Sequence, residues 1–350
     1  MADRQTSAAI SPLLATLPAR RRITLRWLSA AAVIAALGAV PLICALIGQP
    51  FYVTLVSRMM IFALAALGLN LILGYGGLIS FGHALYIGIG AYAVGILSYH
   101  GITNGYVHLG VALGAGLGLA VLIGSVCLRV SGVGFIMITL AFAQMFYFLA
   151  ISLKQYGGDD GYALESRSNF GWLDLGDNTT LYYVIYALLV LVLILFYRLV
   201  NARFGMVLRG SKSNDRRMRA LGFPTLPFKL IAYVISALVC VIAGVLLANL
   251  TRFVSPSYME WTVSGDILLM IVLGGVGTLL GPIFGAVVWL SLEAVLTSLN
   301  VGLPWGLDEF IHNHWMGVLG LFIITVTLVL KQGLYGFLVQ RDQARDPVAQ

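Results

Sequence analysis

With 350 residues, of which 60% are hydrophobic and 10% charged, and a mean hydropathy of +0.94, the chain cannot present an ordinary water-soluble surface, because soluble domains carry ~25% charged residues. The net charge of +7 and pI near 9.4 invite a nucleic-acid reading. The basic residues, however, sit between or beside apolar segments and build no separate basic domain, so membrane lipid is the expected surrounding and no nucleic acid is.

Residues 1–26 read as a cytoplasmic tail in which Arg20, Arg21, Arg22 and Arg26 lead into an apolar run over 27–47. That run exceeds the ~7–15 residues of a signal-peptide core and is expected to stay as a first span. A helix needs about 20 apolar residues to cross ~30 Å of hydrocarbon while satisfying its own backbone groups. On that basis the spans are predicted at 27–47, 51–73, 78–99, 109–129, 132–153, 181–200, 229–250, 263–276, 281–299 and 314–331. The expected fold is therefore an all-α, polytopic helical bundle of about ten spans occupying residues 27–331, followed by a cytoplasmic tail over 332–350. Cys44, Cys127 and Cys240 each fall within an apolar stretch, without metal-ligand spacing or a disulfide framework, and read as small packing residues.

Orientation follows from Lys and Arg in the connections, which stay on the cytoplasmic side. With the N-terminus inside, 17 of them lie in inner segments against three in outer ones, namely Lys154, Arg167 and Arg252, and Arg58 falls within a span. Both termini are thus predicted to be cytoplasmic. The outer loop over 154–180 carries Asp159, Asp160, Glu165, Asp174 and Asp177 and reads as a solvated cap, with docking of a binding protein as the alternative.

Three stretches carry more information. In the first, residues 68–92, Gly74, Gly76 and Gly77 interrupt an apolar run, and Ser80, Gly82 and His83 precede a second one. Broken helices free backbone groups, which a membrane tolerates only when they are buried in protein or line a wet cavity. His83 reads either as a pathway or gate residue or as a histidine held by neighbouring backbone, and Asn70 either as part of the path or as interhelical glue.

The second stretch, residues 203–237, begins as a basic cytoplasmic loop over about 201–228. A short helix is predicted from Asn214 to Leu221, stopped by Gly222 with Pro224 beyond it. Such a helix can carry force from a soluble partner; the alternative is that Arg203, Arg209, Lys212, Arg216, Arg217 and Arg219 are only topogenic charges. In the third stretch, residues 272–286, Gly274, Gly275, Gly277, Gly281 and Pro282 break another apolar run, and LGGVG echoes the earlier LGYGG as a faint internal repeat. Asp266 and Glu293 flank it, as intramembrane acids or as acids at headgroup level.

Together these stretches resemble the permease subunits of ABC importers for branched-chain amino acids, specifically the M-type branch of the Liv family. The resemblance rests on Gly68, Leu69, Asn70, Gly74, Tyr75, Gly77, Ser80, Gly82, His83 and Ala84 in the first stretch and on Phe204, Gly205, Leu208, Leu221, Gly222 and Lys229 in the second. In the third it rests on Val272, Leu273, Gly274, Gly275, Gly277, Gly281, Pro282, Gly285 and Ala286. Met206 stands where the family usually has arginine, Lys212 where arginine is common, and Asp215 where glutamate is common.

The resemblance implies a permease in a bacterial cytoplasmic (inner) membrane, paired as a heterodimer with a related permease, two cytoplasmic ATPases that bind ATP-Mg, and an extracytoplasmic solute-binding protein. It implies an ATPase-coupling segment formed by Arg209, Lys212, Asn214, Asp215, Arg216, Ala220, Leu221 and Gly222. A translocation path or gate would involve Asn70, Gly74, Gly77, Ser80, Gly82, His83, Gly274, Gly275, Gly277 and Gly281. The sequence contains no GxxxxGK[ST] phosphate loop and no paired-carboxylate or nucleophile arrangement, so no enzymatic activity, cofactor or metal is expected of this chain; His312 and His314 alone make no metal site. The alternative is an ion-coupled secondary transporter or channel for a small polar solute, which would depend on Asp266 and Glu293.

Overall fold

The computed structural model describes residues 25–49, 51–171, 175–298, 314–329 and 333–335. The basic tail before residue 25, Asp174, His312 and the terminal Lys331, Arg341 and Arg345 lie outside the described residues. Apolar runs become helices because only a helix satisfies every backbone N–H and C=O within a single segment. The helices are α1 (Leu25–Ile47), α2 (Phe51–Asn70), α3 (His83–Tyr99), α4 (Gly105–Cys127), α5 (Val133–Ser152), α6 (Asn178–Asn201), α7 (Arg203–Ala220), α8 (Thr225–Thr251), α9 (Trp261–Gly274), α10 (Gly281–Ser298) and α11 (Trp315–Val329).

Among the described residues, five helices are long and apolar enough to cross a membrane: α2 with its following π turn, α4, α5, α6 and α8. Apolar stretches of α1, α3, α9, α10 and α11 are shorter than 18 residues. Where a span was predicted over 78–99, the helix begins only at His83, and residues 76–82 run without helix. The predicted 109–129 span starts earlier, at Gly105, where the Asn104 side chain accepts a hydrogen bond from the Tyr106 N–H and caps α4.

The centre of the bundle is α8, packed against α2, α3 and α4, with α10 bridging α2 and α9. Burial separates the roles of the long helices: 78% of the most apolar window of α2 and 67% of that of α8 are buried, against 28% for α4 and 22% for α5. The outward faces of α4, α5 and α6 carry Val111, Leu122, Met137, Phe148, Leu191 and Leu195, all exposed. Such an apolar belt suits contact with lipid. The chain is a multi-pass membrane protein. α6 is tied to α1 by Tyr186, whose hydroxyl donates to the Ile34 carbonyl at 3.0 Å, and by Tyr182, whose hydroxyl donates to Leu37. All three cysteines are free and buried.

The 154–180 connection is more than a solvated cap. Tyr162–Ala163 (β1) pairs antiparallel with Phe253–Val254 (β2), the Ser168 N–H donates to Asn249 Oδ1 at 2.8 Å, and Leu164, Ser168 and Leu175 are buried. A polar cleft of about 530 Å³ lined by Glu165, Arg167, Ser168, Asn169 and Arg252 opens beside it.

Candidate functional site

The two glycine-rich stretches meet. α2 ends in a π turn, Leu71–Tyr75, and its Asn70 side chain reaches across to the connection between α9 and α10. There Asn70 Nδ2 donates to the Thr278 carbonyl at 2.8 Å, while Asn70 Oδ1 accepts from the Gly277 N–H at 3.0 Å. One amide thus satisfies two backbone groups that no helix serves, which is the requirement for irregular backbone at membrane depth. The approach is close enough that a Cβ on Gly74 would stand 2.7 Å from the backbone of Gly277, whose φ of +77° also suits glycine. Thr278 completes the connection: its hydroxyl donates to the Gly275 carbonyl at 2.7 Å and accepts from the Gly281 N–H at 3.1 Å, capping α10.

Asn70→Leu keeps the volume and strands both groups, each at ~1–3 kcal/mol. The variant should therefore unfold at a lower temperature in detergent, followed by fluorescence of a thiol-reactive dye on the buried cysteines. An unchanged transition would show that the bridge is not structural.

α7 touches this junction from one end of the bundle. Lys212 Nζ donates to the Gly74 carbonyl at 2.8 Å, its methylenes cover Gly77, and Leu208 lies against Gly76. α7 itself is longer than the helix predicted from Asn214, because Arg203–Ala220 is helical throughout except at Asn214, which is extended (φ −159°, ψ 99°). Asn214 Oδ1 accepts from the Arg217 N–H at 3.0 Å, so it caps the second part of the kinked helix. Gly222, with φ +87°, follows its end. Arg209 turns back instead, donating to the carbonyls of Val200 and Gly205.

Asp215 fixes the second part of α7 to α8. Its carboxylate accepts from Lys229 Nζ at 2.9 Å and from Arg219. Burial alone would raise the Asp215 carboxyl, but hydrogen bonds from Lys229, Thr225 and Arg219 and the charge of Lys229 outweigh it and hold it below the usual carboxylate range. Its stabilisation is therefore present above the ordinary carboxylate pKa and is lost as pH falls through the lowered value. Beyond this anchor, Arg216, Ala220, Leu221 and Gly222 are exposed, with Leu221 66% and Phe223 43% accessible. An apolar pair flanked by arginines at one end of the bundle is a surface suited to an acidic, partly apolar groove.

His83 is fully buried at the start of α3. Ser236 Oγ donates to the Gly68 carbonyl at 2.6 Å, so at 2.9 Å it receives the His83 Nε2–H; His83 Nδ1 then accepts from the Ser80 hydroxyl at 2.9 Å. That network assigns a proton to Nε2. Its ring lies edge-on to Tyr86 and Tyr233, whose hydroxyls bond each other at 3.1 Å. Ser264 from α9 accepts the Ala84 N–H at 2.9 Å, and Thr139 from α5 accepts the Phe81 N–H at 3.3 Å. The first turn of α3 and the residues leading into it therefore find partners on three other helices.

Ser236, Ser264 and Thr278 were not singled out from the sequence. The only available signal was a small hydroxyl inside an apolar run, which lone serines and threonines carry almost everywhere.

Asp266 on α9 and Glu293 on α10 lie apart from the glycine junction. Glu293 Oε1 faces Arg58 Nη2 at 3.7 Å, and the charges of both reach Asp266. Among the described residues no group of three or more His, Cys, Asp and Glu is placed to hold a metal ion.

Comparison with known proteins adds an independent finding. Residues 51–329 match the family model described as branched-chain amino acid transport system / permease component. The chain is 29% identical over 273 residues to a high-affinity branched-chain amino acid transport system permease protein, LivM, of Salmonella typhimurium, covering 71% of this chain and 64% of that protein. It is 28% identical over 291 residues to the same-named protein of Escherichia coli, covering 75% and 68%. A probable branched-chain amino acid transport permease protein LivM of Methanocaldococcus jannaschii is 24% identical over 331 residues, covering 82% and 93%. The chain thus spans under two thirds of the length of the Salmonella relative. No solved structure matches it.

Proposed function

The chain belongs to the family of branched-chain amino acid transport system permease components, and from that premise we propose that it is the membrane subunit of an ATP-driven importer for branched-chain or related amino acids. In this reading it spans a bacterial cytoplasmic membrane ten times, the shorter apolar helices included, with both termini inside and α7 on the cytoplasmic side. It pairs with a second, related permease. Two ATPase subunits hold ATP-Mg and drive it, and an extracytoplasmic protein delivers the solute to the outer loop with its polar cleft.

One observation carries the mechanism: a continuous run of contacts from α7 through Lys212 to the Gly74 carbonyl, and through Asn70 to Gly277 and Thr278. The exposed arginines and Leu221 beside Gly222 form the ATPase-docking ledge, anchored by Asp215. When the ATPases close, displacement of the ledge is transmitted through Lys212 to both glycine junctions at once, and the two junctions change the opening of the path together. The match of residues 51–329 to a transport-system permease family supports this reading over an ion-coupled transporter.

The test is reconstitution of this chain with its partner permease and ATPases in vesicles supplied with the binding protein. ATP-dependent accumulation of leucine, isoleucine or valine is expected, and it should vanish when the ATPases are omitted. Concentrative uptake by the chain without them would overturn the reading.

A further inference from the structure

Arg58 is out of place. It lies 17 residues before Tyr75 on α2, ~25 Å along the helix from the α7 end at ~1.5 Å per residue, and Glu293 lies 12 residues beyond Gly281 on α10, or ~18 Å. Both therefore sit within the outer half of the membrane in the orientation proposed above. The Arg58 side chain is nevertheless 47% exposed. Ionisable side chains in spans face the bundle interior or a wet cavity.

Among the described residues Arg58 is also poorly satisfied. A guanidinium carries five N–H donors. Among the described residues Arg58 has Glu293 Oε1 at 3.7 Å, beyond hydrogen-bond length, and the Phe62 ring at 5.8 Å. Structural ion pairs inside a membrane protein are expected to close to hydrogen-bonded contact, as Lys229 and Asp215 do at 2.9 Å. The carboxylate of Asp266 is within electrostatic reach of the same pair. Cation and carboxylates are thus held near one another with donors left over, beside an aromatic ring.

We infer that Arg58, Glu293 and Asp266 form a recognition station for a zwitterionic α-amino acid in the outer half of the path. Arg58 takes the solute carboxylate in bidentate fashion, and Glu293, assisted by Asp266, takes its ammonium group. The solute's carboxylate and ammonium add no net charge to the site, and the Arg58–Glu293 contact, at 3.7 Å without solute, separates to admit them. Phe62 offers apolar surface to the side chain. This inference rests on the proposed transport of amino acids and adds which groups of this chain recognise them.

The test uses the complete assembly of both permeases and the ATPases in nanodiscs, without binding protein, and radiolabelled leucine as the probe. Wild type is expected to bind leucine, with neither leucinamide nor 4-methylpentanoic acid competing, because each lacks one of the two charges. R58Q should lower bound leucine at least tenfold, R58K less, and E293Q should weaken binding. Wild-type leucine binding by R58Q would overturn the station alone. So would loss of the partner permease from the R58Q assembly, since Arg58 would then belong to the subunit interface. A wild type that binds no α-amino acid would overturn the proposed solute class together with this site, whereas ATP-driven uptake of some other solute by that wild type would leave the importer mechanism standing.

Discussion

Replacing Lys212 by methionine is expected to reduce solute uptake by the assembled transporter at least tenfold while ATP hydrolysis continues and loses its response to solute-loaded binding protein. Methionine keeps the length and apolar stem that cover Gly77, and removes only the ammonium that holds the Gly74 carbonyl. A charged hydrogen bond of this kind contributes ~1.5–3 kcal/mol, and every ~1.4 kcal/mol is tenfold in an equilibrium. That leverage appears in coupling only when the bond differs in strength between the inward- and outward-facing states, because an interaction equal in both shifts nothing. A Lys212→Met transporter in which uptake and stimulated hydrolysis both stay at wild-type levels would exclude the strut. If Lys212→Arg restores uptake, the cationic donor is the active feature, in keeping with the arginine that the resemblance places there.

The second large effect concerns the heart of the bundle. Gly244→Val on α8 is expected to cost ~3 kcal/mol or more, the upper end for overpacking a core, and this would be a substantial part of the ~5–15 kcal/mol that holds a typical protein folded. The reason is geometric: a Cβ on Gly244 would fall on the Ile87 carbonyl, and one on Gly90 of α3 would fall on the Val241 carbonyl, so the two helix backbones meet across their glycines. Gly118→Ala on the lipid-facing side of α4, where a Cβ meets nothing within 4 Å, is the control and should be neutral or mildly stabilising. Labelling of Cys127 and Cys240, both buried against the centre, measures the difference: Gly244→Val should expose them to a thiol reagent well below the wild-type unfolding temperature. Equal labelling in the two variants would refute close packing of α3 on α8.

The two positions show where sequence reasoning succeeds and where it stops. Hydropathy located the apolar helices, because removal of ~20 residues from water is a local, additive property. It misplaced the start of α3: the glycines marked a broken run, but Leu78, Ile79 and Phe81 are apolar and did not show where the break ends. The second part of α7 was legible for the opposite reason: Asn214 as a cap and Gly222 at a positive φ act within one turn of themselves.

Partners remote in sequence were not legible. His83 was noticeable in an apolar run, but Ser236, 153 residues away, is what fixes its tautomer. Asn70 was flagged as either glue or path, and only the structure brings it to Gly277 and Thr278, more than 200 residues on. Likewise Asp266 and Glu293 stood out as flanking acids and Arg58 as a charge within a span, without any sign that Arg58 and Glu293 face each other.

The sequence by itself determined that this chain lives in a membrane, where its apolar helices run and which family it resembles. The tertiary structure alone decided which helix faces which and how the glycine stretches, Lys212 and the embedded charges meet. Spanning helices are apolar on every side, so periodicity does not mark the buried face. In lipid the choice of neighbour rests on close backbone approach and a few polar contacts between distant segments, and such contacts exist only once the bundle has assembled.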